Sequence, residues 1–197
     1  MKQLLLIRHG APDVEGANPQ VDPPLNALGR RQAALTGERL AEEPVDLIVS
    51  SPLRRAMQTA QPLAGALGLS VKCETGMAEV DQGGAQYVAV EAWRAEGGAK
   101  WQAFLDNPVV ALGGDHDRFV AGVEASLDAV LRGVGNRVAV FTHGLPINVA
   151  LARAVGAGSL ARFAPRHASI TRMAGTCIDD LRLLSFNEAT HFPAGGA

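Results

Sequence analysis

Short apolar runs alternate along this chain with longer segments whose apolar residues recur at helical spacing. A continuous apolar run of about four to eight residues is typical of a strand buried on both faces of a sheet. Residues 3–7, 45–49 and 137–142 resemble such strands, and residues 69–73 are a further candidate strand. Helical spacing occurs at 26–42, and serine hydroxyls with Pro52 indicate a second helix that runs to about Leu67. The alternation predicts an α/β three-layer sandwich with a central, mostly parallel sheet and helices on both faces.

Two further patterns complete the predicted fold. Residues 81–135 have no strong strand pattern, and glycine pairs separate helical pieces there, which predicts a small helical insertion over one edge of the core. Residues 168–186 contain two short apolar runs separated by Gly175, which favours a closing antiparallel hairpin. The length of 197 residues fits a single domain over 1–197 that includes the insertion.

Composition and charge narrow the class of protein and its compartment. A hydrophobic fraction of 47%, a net charge of −2 and the absence of like-charge blocks disfavour nucleic acid or an anionic membrane as partner. The apolar part of the N-terminus is too short for a secretory signal, and no stretch approaches the ~18 apolar residues of a membrane-spanning helix. Cys73 and Cys177 have no second cysteine nearby, so we expect no disulfide framework and a cytoplasmic location.

Charged and ionisable residues follow the candidate strands at several points. They are Arg8-His9-Gly10, the turn 51–56 with Arg54 and Arg55, Glu79, and His143-Gly144. The carboxyl ends of parallel strands meet at one edge of a sheet, where open α/β folds present their binding crevice. We therefore expect these side chains to lie close together.

This set of side chains suits phosphoryl transfer without a metal ion. The transition state spreads charge over three equatorial oxygens, so it requires fixed positive donors and an in-line nucleophile. Arginine grips two phosphate oxygens with a planar fork, and a neutral imidazole nitrogen can attack phosphorus when its other nitrogen donates to an acceptor. No histidine or carboxylate pair has metal-ligand spacing, so we expect neither a metal nor another cofactor.

The ordered motifs resemble those of the histidine phosphatase superfamily, also called phosphoglycerate mutase-like, through nearly the whole chain. The family opens with Arg-His-Gly at the end of its first strand, which stands here at 8–10. Its Ser-x-Leu-x-Arg-Ala-x-x-Thr-Ala pattern matches 51–60, and its Leu-Thr/Ser-x-x-Gly-x-x-Gln-Ala helix opening is similar to 25–33. A glutamate after the third strand, Glu79, and a late His-Gly at 143–144 complete the order. Arg-His-Gly alone is a weak signal, whereas the ordered set is specific.

The resemblance implies how these residues would bind a phosphoryl group. His9 would become phosphohistidine, Arg8 and Arg55 would bind the phosphate, and His143 with Gly144 would complete the cradle. Composition alone cannot separate the two adjacent arginines of the turn. The register of the motif selects Arg55, and its preceding neighbour is expected to face solvent.

Glu79 is the residue whose surroundings depart most from the family pattern. The resemblance makes Glu79 the general acid on the leaving oxygen. The family usually continues with Phe-Gly-x-Trp-Glu-Gly, whereas this chain has Asp-Gln-Gly-Gly-Ala-Gln at 81–86. Two alternatives therefore stand beside it: Glu79 is an exposed loop carboxylate, or Asp81 is the acid.

Three histidines and three aromatic residues lie outside these motifs. We expect surface positions or local hydrogen bonds for the histidines, which are His116, His167 and His191. Helical spacing within the insertion favours core positions for the aromatic residues, with a lid as the alternative; they are Trp93, Trp101 and Phe104.

The expected reaction is hydrolysis of a small phosphorylated metabolite through phosphohistidine at His9, followed by attack of water. Cofactor-dependent mutases of the family follow Arg-His-Gly with Glu-Ser-x-Trp-Asn and a sealing loop, whereas residues 11–16 here are Ala-Pro-Asp-Val-Glu-Gly. Hydrolysis is therefore favoured over mutase activity. A third alternative is a phospho-ligand-binding protein that lacks turnover. The sequence leaves the substrate open and is compatible with a homodimer.

Overall fold

The computed structural model describes residues 1–14, 21–82 and 87–193. These residues contain six main strands: β1 (Lys2–Arg8), β2 (Leu47–Ser50), β3 (Val71–Cys73), β4 (Arg137–Thr142), β5 (Ile170–Gly175) and β6 (Arg182–Glu188). The strands form one sheet in the order β3-β2-β4-β1-β5-β6. The first four of that order are parallel, and β5 and β6 add antiparallel pairings. The predicted α/β fold with a mostly parallel sheet and a closing antiparallel hairpin is confirmed.

Helices cover both faces of this sheet. The α-helices of the described residues are α1 (Ala27–Ala41), α2 (Arg54–Leu67), α3 (Val90–Glu96), α4 (Gly98–Asp106), α5 (Pro108–Ala111), α6 (His116–Arg132) and α7 (Gly144–Val155). Helices α1 and α2 pack on one face, and α6 and α7 pack on the other. Within the described ranges, no helix has both the length and the apolar character needed to cross a bilayer.

The alternation of side chains along β1 shows why its sequence is continuously apolar. Leu4 and Leu6 belong to the hydrophobic cluster on the α6 and α7 side. Leu5 and Ile7 belong to the cluster on the α1 and α2 side. Successive side chains of a strand point to opposite faces, so a strand with helices on both sides needs apolar residues at every position.

The two helices of one layer begin where polar side chains satisfy their first amide groups. The Asn26 side chain accepts a hydrogen bond from the Gly29 amide at 2.8 Å, so α1 begins at the predicted place. Ser51 Oγ accepts from the Leu53 amide at 3.2 Å, and Leu53 itself remains extended. Helix α2 therefore begins two residues after the predicted proline start.

The third strand is shorter than the predicted 69–73. Gly68 has a φ of +65°, and the amide of Leu69 donates to the Ala64 carbonyl at 3.1 Å. These are the marks of a helix that ends on a left-handed glycine, and they assign Leu69 to the end of α2. Only Val71–Cys73 remain to pair with β2.

The helical insertion consists of α3, α4 and α5. Phe104 of α4 is buried in the core cluster, and Trp93 and Trp101 pack against the same cluster, as the helical spacing predicted. Helix α6 lies in the C-terminal part of the predicted range 81–135. It belongs to the core layer and not to the insertion, because Val123 and Leu127 pack in the cluster on the α6 and α7 side of the sheet.

The loop after β1 lies directly on the start of α1. A Cβ added to Gly29 would lie 2.0 Å from the Ala11 carbonyl oxygen, and one added to Gly10 would lie 2.5 Å from the Gly29 carbonyl oxygen. Both neighbours are backbone atoms, which no rotamer change can move away. The close approach therefore requires glycine at both positions.

We expect Gly29→Ala to lower the free energy of unfolding by about 1–3 kcal/mol, because the added methyl group overpacks a rigid backbone contact. Gly65→Ala is the matched control: it lies inside α2, where a Cβ meets nothing within 4 Å. That control should gain roughly 0.5–1 kcal/mol from the better helix former. Urea unfolding of both variants measures the difference. Equal stabilities for the two variants would contradict the contact.

Candidate active site

His9 lies at the carboxyl edge of the sheet, where β1 ends between its two neighbours. Its amide donates to the Thr142 carbonyl of β4 at 2.9 Å, and its own carbonyl accepts from the Ala168 amide, just before β5, at 3.2 Å. The residue is only 3% exposed. The backbone of the candidate nucleophile is therefore held from both sides.

The ring of His9 has a defined tautomer. Nδ1 lies 2.7 Å from the Gly10 carbonyl oxygen, which can only accept, so we assign the proton to Nδ1. Burial lowers the pKa of His9 well below its usual value, and the nearby His143, Arg55 and Arg8 lower it further. At neutral pH the imidazole is uncharged, and Nε2 retains the lone pair that a nucleophile needs.

Arg55 is fully buried in the first turn of α2. Its Nη2 donates to both carboxylate oxygens of Asp81 at 2.9 Å, and its Nη1 lies 3.6 Å from Asp22 Oδ1. Nε and Nη1 have no hydrogen-bond partner among the described residues. Buried donors without acceptors are costly, so their presence indicates a site for an anionic ligand. Arg54, the preceding residue, is exposed as predicted.

Arg8 is held at the other side of His9. Its Nη1 donates to the Pro165 carbonyl at 2.8 Å, and its Nη2 donates to Glu91 Oε1 at 2.6 Å. Burial opposes ionisation of Glu91, but the charge and hydrogen bond of Arg8 outweigh it and lower the pKa of Glu91 to about 2. Both arginines of the site therefore have carboxylate partners, Glu91 and Asp81.

His143 is the residue at which β4 passes into α7. Its Nε2 lies 2.7 Å from Ser51 Oγ, and its ring centre lies 5.1 Å from that of His9. The Leu53 amide already donates to Ser51 Oγ, so the hydroxyl proton is available to Nε2 and we assign the ring proton to Nδ1. Nδ1 is buried and has no partner in the described part of the chain. It can therefore donate to a ligand oxygen.

Glu79 packs against the start of α7. Oε2 accepts from the Leu145 amide at 3.2 Å, and Oε1 accepts from the Val80 amide at 3.1 Å. Burial and the neighbouring charge of Asp81 raise the pKa of Glu79 to about 7, although the two amide bonds oppose that shift. The side chain is not the exposed loop carboxylate of the alternative interpretation. Near neutral pH a large fraction of it is protonated, as a general acid requires.

Asp81 has a different environment from Glu79. Both its oxygens accept from Arg55, and burial raises its pKa while the Arg55 charge lowers it. The side chain lies beside the site but is already bound to a cation. Residues 83–86, the rest of the segment that departs from the family pattern, lie outside the described residues.

His167 contradicts the prediction that it has only a surface or local role. Its ring centre lies 5.4 Å from that of His9, and its Nε2 lies 4.0 Å from Glu91 Oε1. Burial and Arg8 lower the pKa of His167 to about 3, against the opposing charge of Glu91. The sequence did not reveal this position because it depends on the direction of β5. Since β5 is antiparallel to β1, residues just before β5 lie at the same edge of the sheet as His9.

The other two histidines make the local hydrogen bonds that the sequence predicted. His116 Nδ1 lies 3.2 Å from Asn107 Oδ1, and His191 Nε2 lies 3.0 Å from Thr36 Oγ1. The described residues include no cluster of three or more histidine, cysteine or acidic side chains arranged to hold a metal ion.

Three residues of the site lie outside every motif identified in the sequence. Glu91 comes from α3 of the insertion, Asp22 from the loop before α1, and Tyr87 places its ring 4.9 Å from the Arg55 guanidinium carbon. Burial raises the pKa of Tyr87 to about 12, so the phenol is neutral. Tyr87 and Glu91, together with His9, line a cavity of about 50 Å³.

The fold and this site together are typical of proteins that bind a phosphoryl group at the strand ends of an α/β sheet. The family model for the histidine phosphatase superfamily (branch 1) matches residues 4–184. The chain belongs to the histidine phosphatase superfamily, branch 1. The resemblance given by the ordered motifs is confirmed.

Among curated proteins, the chain is similar to probable phosphoglycerate mutases named GpmB. The protein of Yersinia enterocolitica is 28% identical over 165 residues, which cover 79% of this chain and 76% of that protein. The protein of Yersinia pestis is 27% identical over 186 residues, which cover 88% of this chain and 85% of that protein.

Solved structures of phosphatases have the same fold. A mycobacterial glucosyl-3-phosphoglycerate phosphatase in complex with VO3 has a TM-score of 0.77 and 27% identity, covering 96% of this chain and 100% of that one. A phosphoserine phosphatase from Entamoeba histolytica, in complex with 3-phosphoglyceric acid, has a TM-score of 0.67 and 22% identity. The match covers 97% of this chain and 99% of that one. At 22% identity it shows a similarity of fold alone.

Proposed function

We propose that the protein is a phosphomonoester hydrolase that acts on a small phosphorylated metabolite through phosphohistidine at His9. The observation that supports this most is the buried, neutral His9, whose Nδ1 proton is fixed by Gly10 and whose Nε2 keeps its lone pair. Arg8, Arg55 and His143 surround it with donors, several of which have no protein partner in the described ranges. This is the requirement of phosphoryl transfer that depends on positioning and charge.

In the first step, His9 Nε2 attacks phosphorus and forms the N–P bond while the bond from phosphorus to the leaving oxygen breaks. The leaving oxygen takes the proton of Glu79, so the alcohol departs neutral and Glu79 becomes a carboxylate. The two arginines and His143 Nδ1 bind the three equatorial oxygens, whose charge grows in the transition state.

In the second step, water attacks phosphorus from the side that the alcohol has left. Glu79, now ionised, accepts the proton of that water, the new O–P bond forms and the N–P bond breaks. Inorganic phosphate leaves, and both His9 and Glu79 return to their starting protonation states. Glu79 is preferred to Asp81 for this role because Asp81 has both oxygens bound to Arg55.

The experiment that tests this function is phosphate release from a panel of phosphorylated metabolites at neutral pH. We expect release from at least one of them with burst kinetics of the alcohol when the second step is slow. Binding without any release would instead support the alternative of a phospho-ligand-binding protein.

Mutase activity is the second candidate, because the curated relatives are named probable phosphoglycerate mutases. The motif departure at 11–16 disfavours it, and residues 15 and 16 of that segment lie outside the described residues. Incubation with 3-phosphoglycerate, followed by phosphorus NMR, separates the two reactions. Hydrolysis gives inorganic phosphate, whereas mutase activity gives 2-phosphoglycerate.

We expect chelation to leave the rate unchanged, because arginine side chains supply the positive charge that faces the phosphoryl group. Protein treated with EDTA and then passed through a desalting column should keep its rate of phosphate release. The control is the same protein with magnesium or manganese added back. A loss of activity that only a divalent metal restores would contradict this chemistry.

A further inference from the structure

A second cavity, of about 270 Å³, begins at the candidate acid and extends away from His9. Arg8, Glu79 and Glu91 line both this cavity and the smaller one over His9, whereas Trp101, Asn148 and Phe163 line this cavity but not the smaller one. The inference below depends on the proposed function, in which Glu79 protonates the leaving oxygen. The group attached to that oxygen must extend from Glu79, and this cavity is the space that adjoins it.

The walls of the cavity are mainly apolar. Trp101 and Phe104 of α4 are stacked with ring centres 5.4 Å apart and line one part, and Leu145, Ala161 and Phe163 line other parts. A ligand group with several hydroxyls would lose its water there without finding partners. Ligand pockets commonly measure about 300–1,000 Å³, so a cavity of this size fits a small group.

Asn148, a residue of this lining, has a buried polar atom that lacks a partner among the described residues. Asn148 of α7 is 4% exposed, and its Nδ2 donates to the carbonyls of Leu160 at 2.8 Å and Phe163 at 2.9 Å. These bonds fix the amide orientation and leave Oδ1 as the remaining acceptor. Oδ1 is buried and has no hydrogen-bond partner among the described residues. A buried acceptor without a hydrogen bond is costly, so a donor on the ligand would stabilise the complex.

The charged residues of the cavity restrict what that donor can be. The carboxylate of Glu91 also lines the cavity but is paired with Arg8. The unpaired charge of the lining therefore comes from Arg94 and Arg162, which are exposed to solvent. Two guanidinium groups repel a cationic ligand, so an ammonium donor is disfavoured. A neutral hydroxyl or amide N–H remains.

We propose that this cavity binds the alcohol part of the substrate, and that the substrate class is the phosphomonoester of a small, mainly apolar alcohol with one neutral hydrogen-bond donor. Asn148 Oδ1 accepts from that donor and thereby selects the substrate. The apolar walls bind the body of the alcohol, while Arg8, Arg55 and His143 bind its phosphate.

The test measures binding and turnover separately. Phosphonate analogues cannot be hydrolysed, so calorimetry with 2-(hydroxyphenyl)ethyl phosphonate, in its three positional isomers, reports binding without turnover. The phosphonate group is the same in every compound, so differences in affinity come from the cavity. The best isomer should bind about 2- to 10-fold more tightly than its methoxy counterpart, which has no donor. It should also bind more tightly than a glycerol phosphonate, whose hydroxyls meet apolar walls. The corresponding phosphate esters should follow the same order in kcat/KM.

Asn148→Leu should reduce the hydroxyl-to-methoxy ratio to about one, because the acceptor is gone. If that variant fails to fold, the ranking of the wild-type protein decides alone. Equal binding of hydroxy and methoxy compounds, or preference for the glycerol phosphonate, would overturn the proposed substrate class. The expected phosphonate ranking without phosphate release from any ester would refute the hydrolase proposal and leave the cavity assignment standing.

Discussion

His9→Ala is expected to abolish phosphate release, by about 10⁴-fold or more, while the protein stays folded. The reaction loses the atom that forms the N–P bond, and the neighbouring rings of His143 and His167 are centred 5.1 and 5.4 Å from the ring that is removed. The fold should persist because the side chain of His9 lies at a strand end, outside the two hydrophobic clusters of the core. Phosphate release and thermal unfolding measure the two effects. His116→Ala, which removes a histidine bonded to Asn107, is the matched control and should keep its activity.

Rapid quenching with labelled substrate identifies the covalent intermediate in the same pair of proteins. Phosphohistidine is labile in acid and stable in base, and it should accumulate on the wild-type protein and on His116→Ala but not on His9→Ala. Label trapped on a serine, aspartate or cysteine would contradict the proposed phosphohistidine mechanism.

Glu79→Gln should slow alkyl phosphates by about 10²–10⁴-fold and para-nitrophenyl phosphate far less. An alkoxide leaves poorly without a proton, whereas the nitrophenolate departs readily, so only the first substrate depends on the acid. Steady-state rates with both substrates measure the contrast. A uniform loss on both would indicate a positioning role for Glu79, and no loss on either would transfer the role to Asp81.

The pH dependence provides a second test of the same residue. The pKa of Glu79 is raised to about 7, so the carboxyl is protonated below that pH and ionised above it. Since kcat/KM reports the first step, its value for an alkyl phosphate should fall as the pH rises through about 7. Glu79→Gln should lack this alkaline decline. Asp81→Asn, the control, should retain the decline but at a lower pH, because the charge of Asp81 contributes to the raised pKa of Glu79.

Much of the fold could be predicted because its central strands, such as β1 and β4, are buried on both faces. Leu4 to Ile7 have no polar position to suggest a one-sided sheet, and that pattern alone indicates helices on both sides. The end of α2 could not be placed so well. Residues 69 and 70 have strand-like sequence, but Gly68 lets the chain close the helix with a bond from Leu69, and tertiary context decided between the two.

The clustering of the candidate site residues could be predicted from sequence for a related reason. Arg8, Arg55 and His143 each follow or begin an element that the pattern identified, and the parallel strands bring those points together. His167 and Glu91 could not be found in the same way. The first depends on the antiparallel direction of β5, and the second belongs to the insertion, whose placement over the site no periodic pattern encodes.

The carboxylates that contact Arg8 and Arg55 would compete with the phosphate of the proposed reaction for these two arginines. Glu91 lies 2.6 Å from Arg8 and Asp81 lies 2.9 Å from Arg55, and both are part of the chain. Because these carboxylates belong to the chain, their effective concentration at the arginines is fixed and does not depend on the composition of the solution. Free phosphate would compete with these carboxylates for the arginine donors that they occupy, whereas an ester would also gain the contacts of its alcohol. Under the proposed function, we therefore expect the site to bind inorganic phosphate more weakly than an ester substrate.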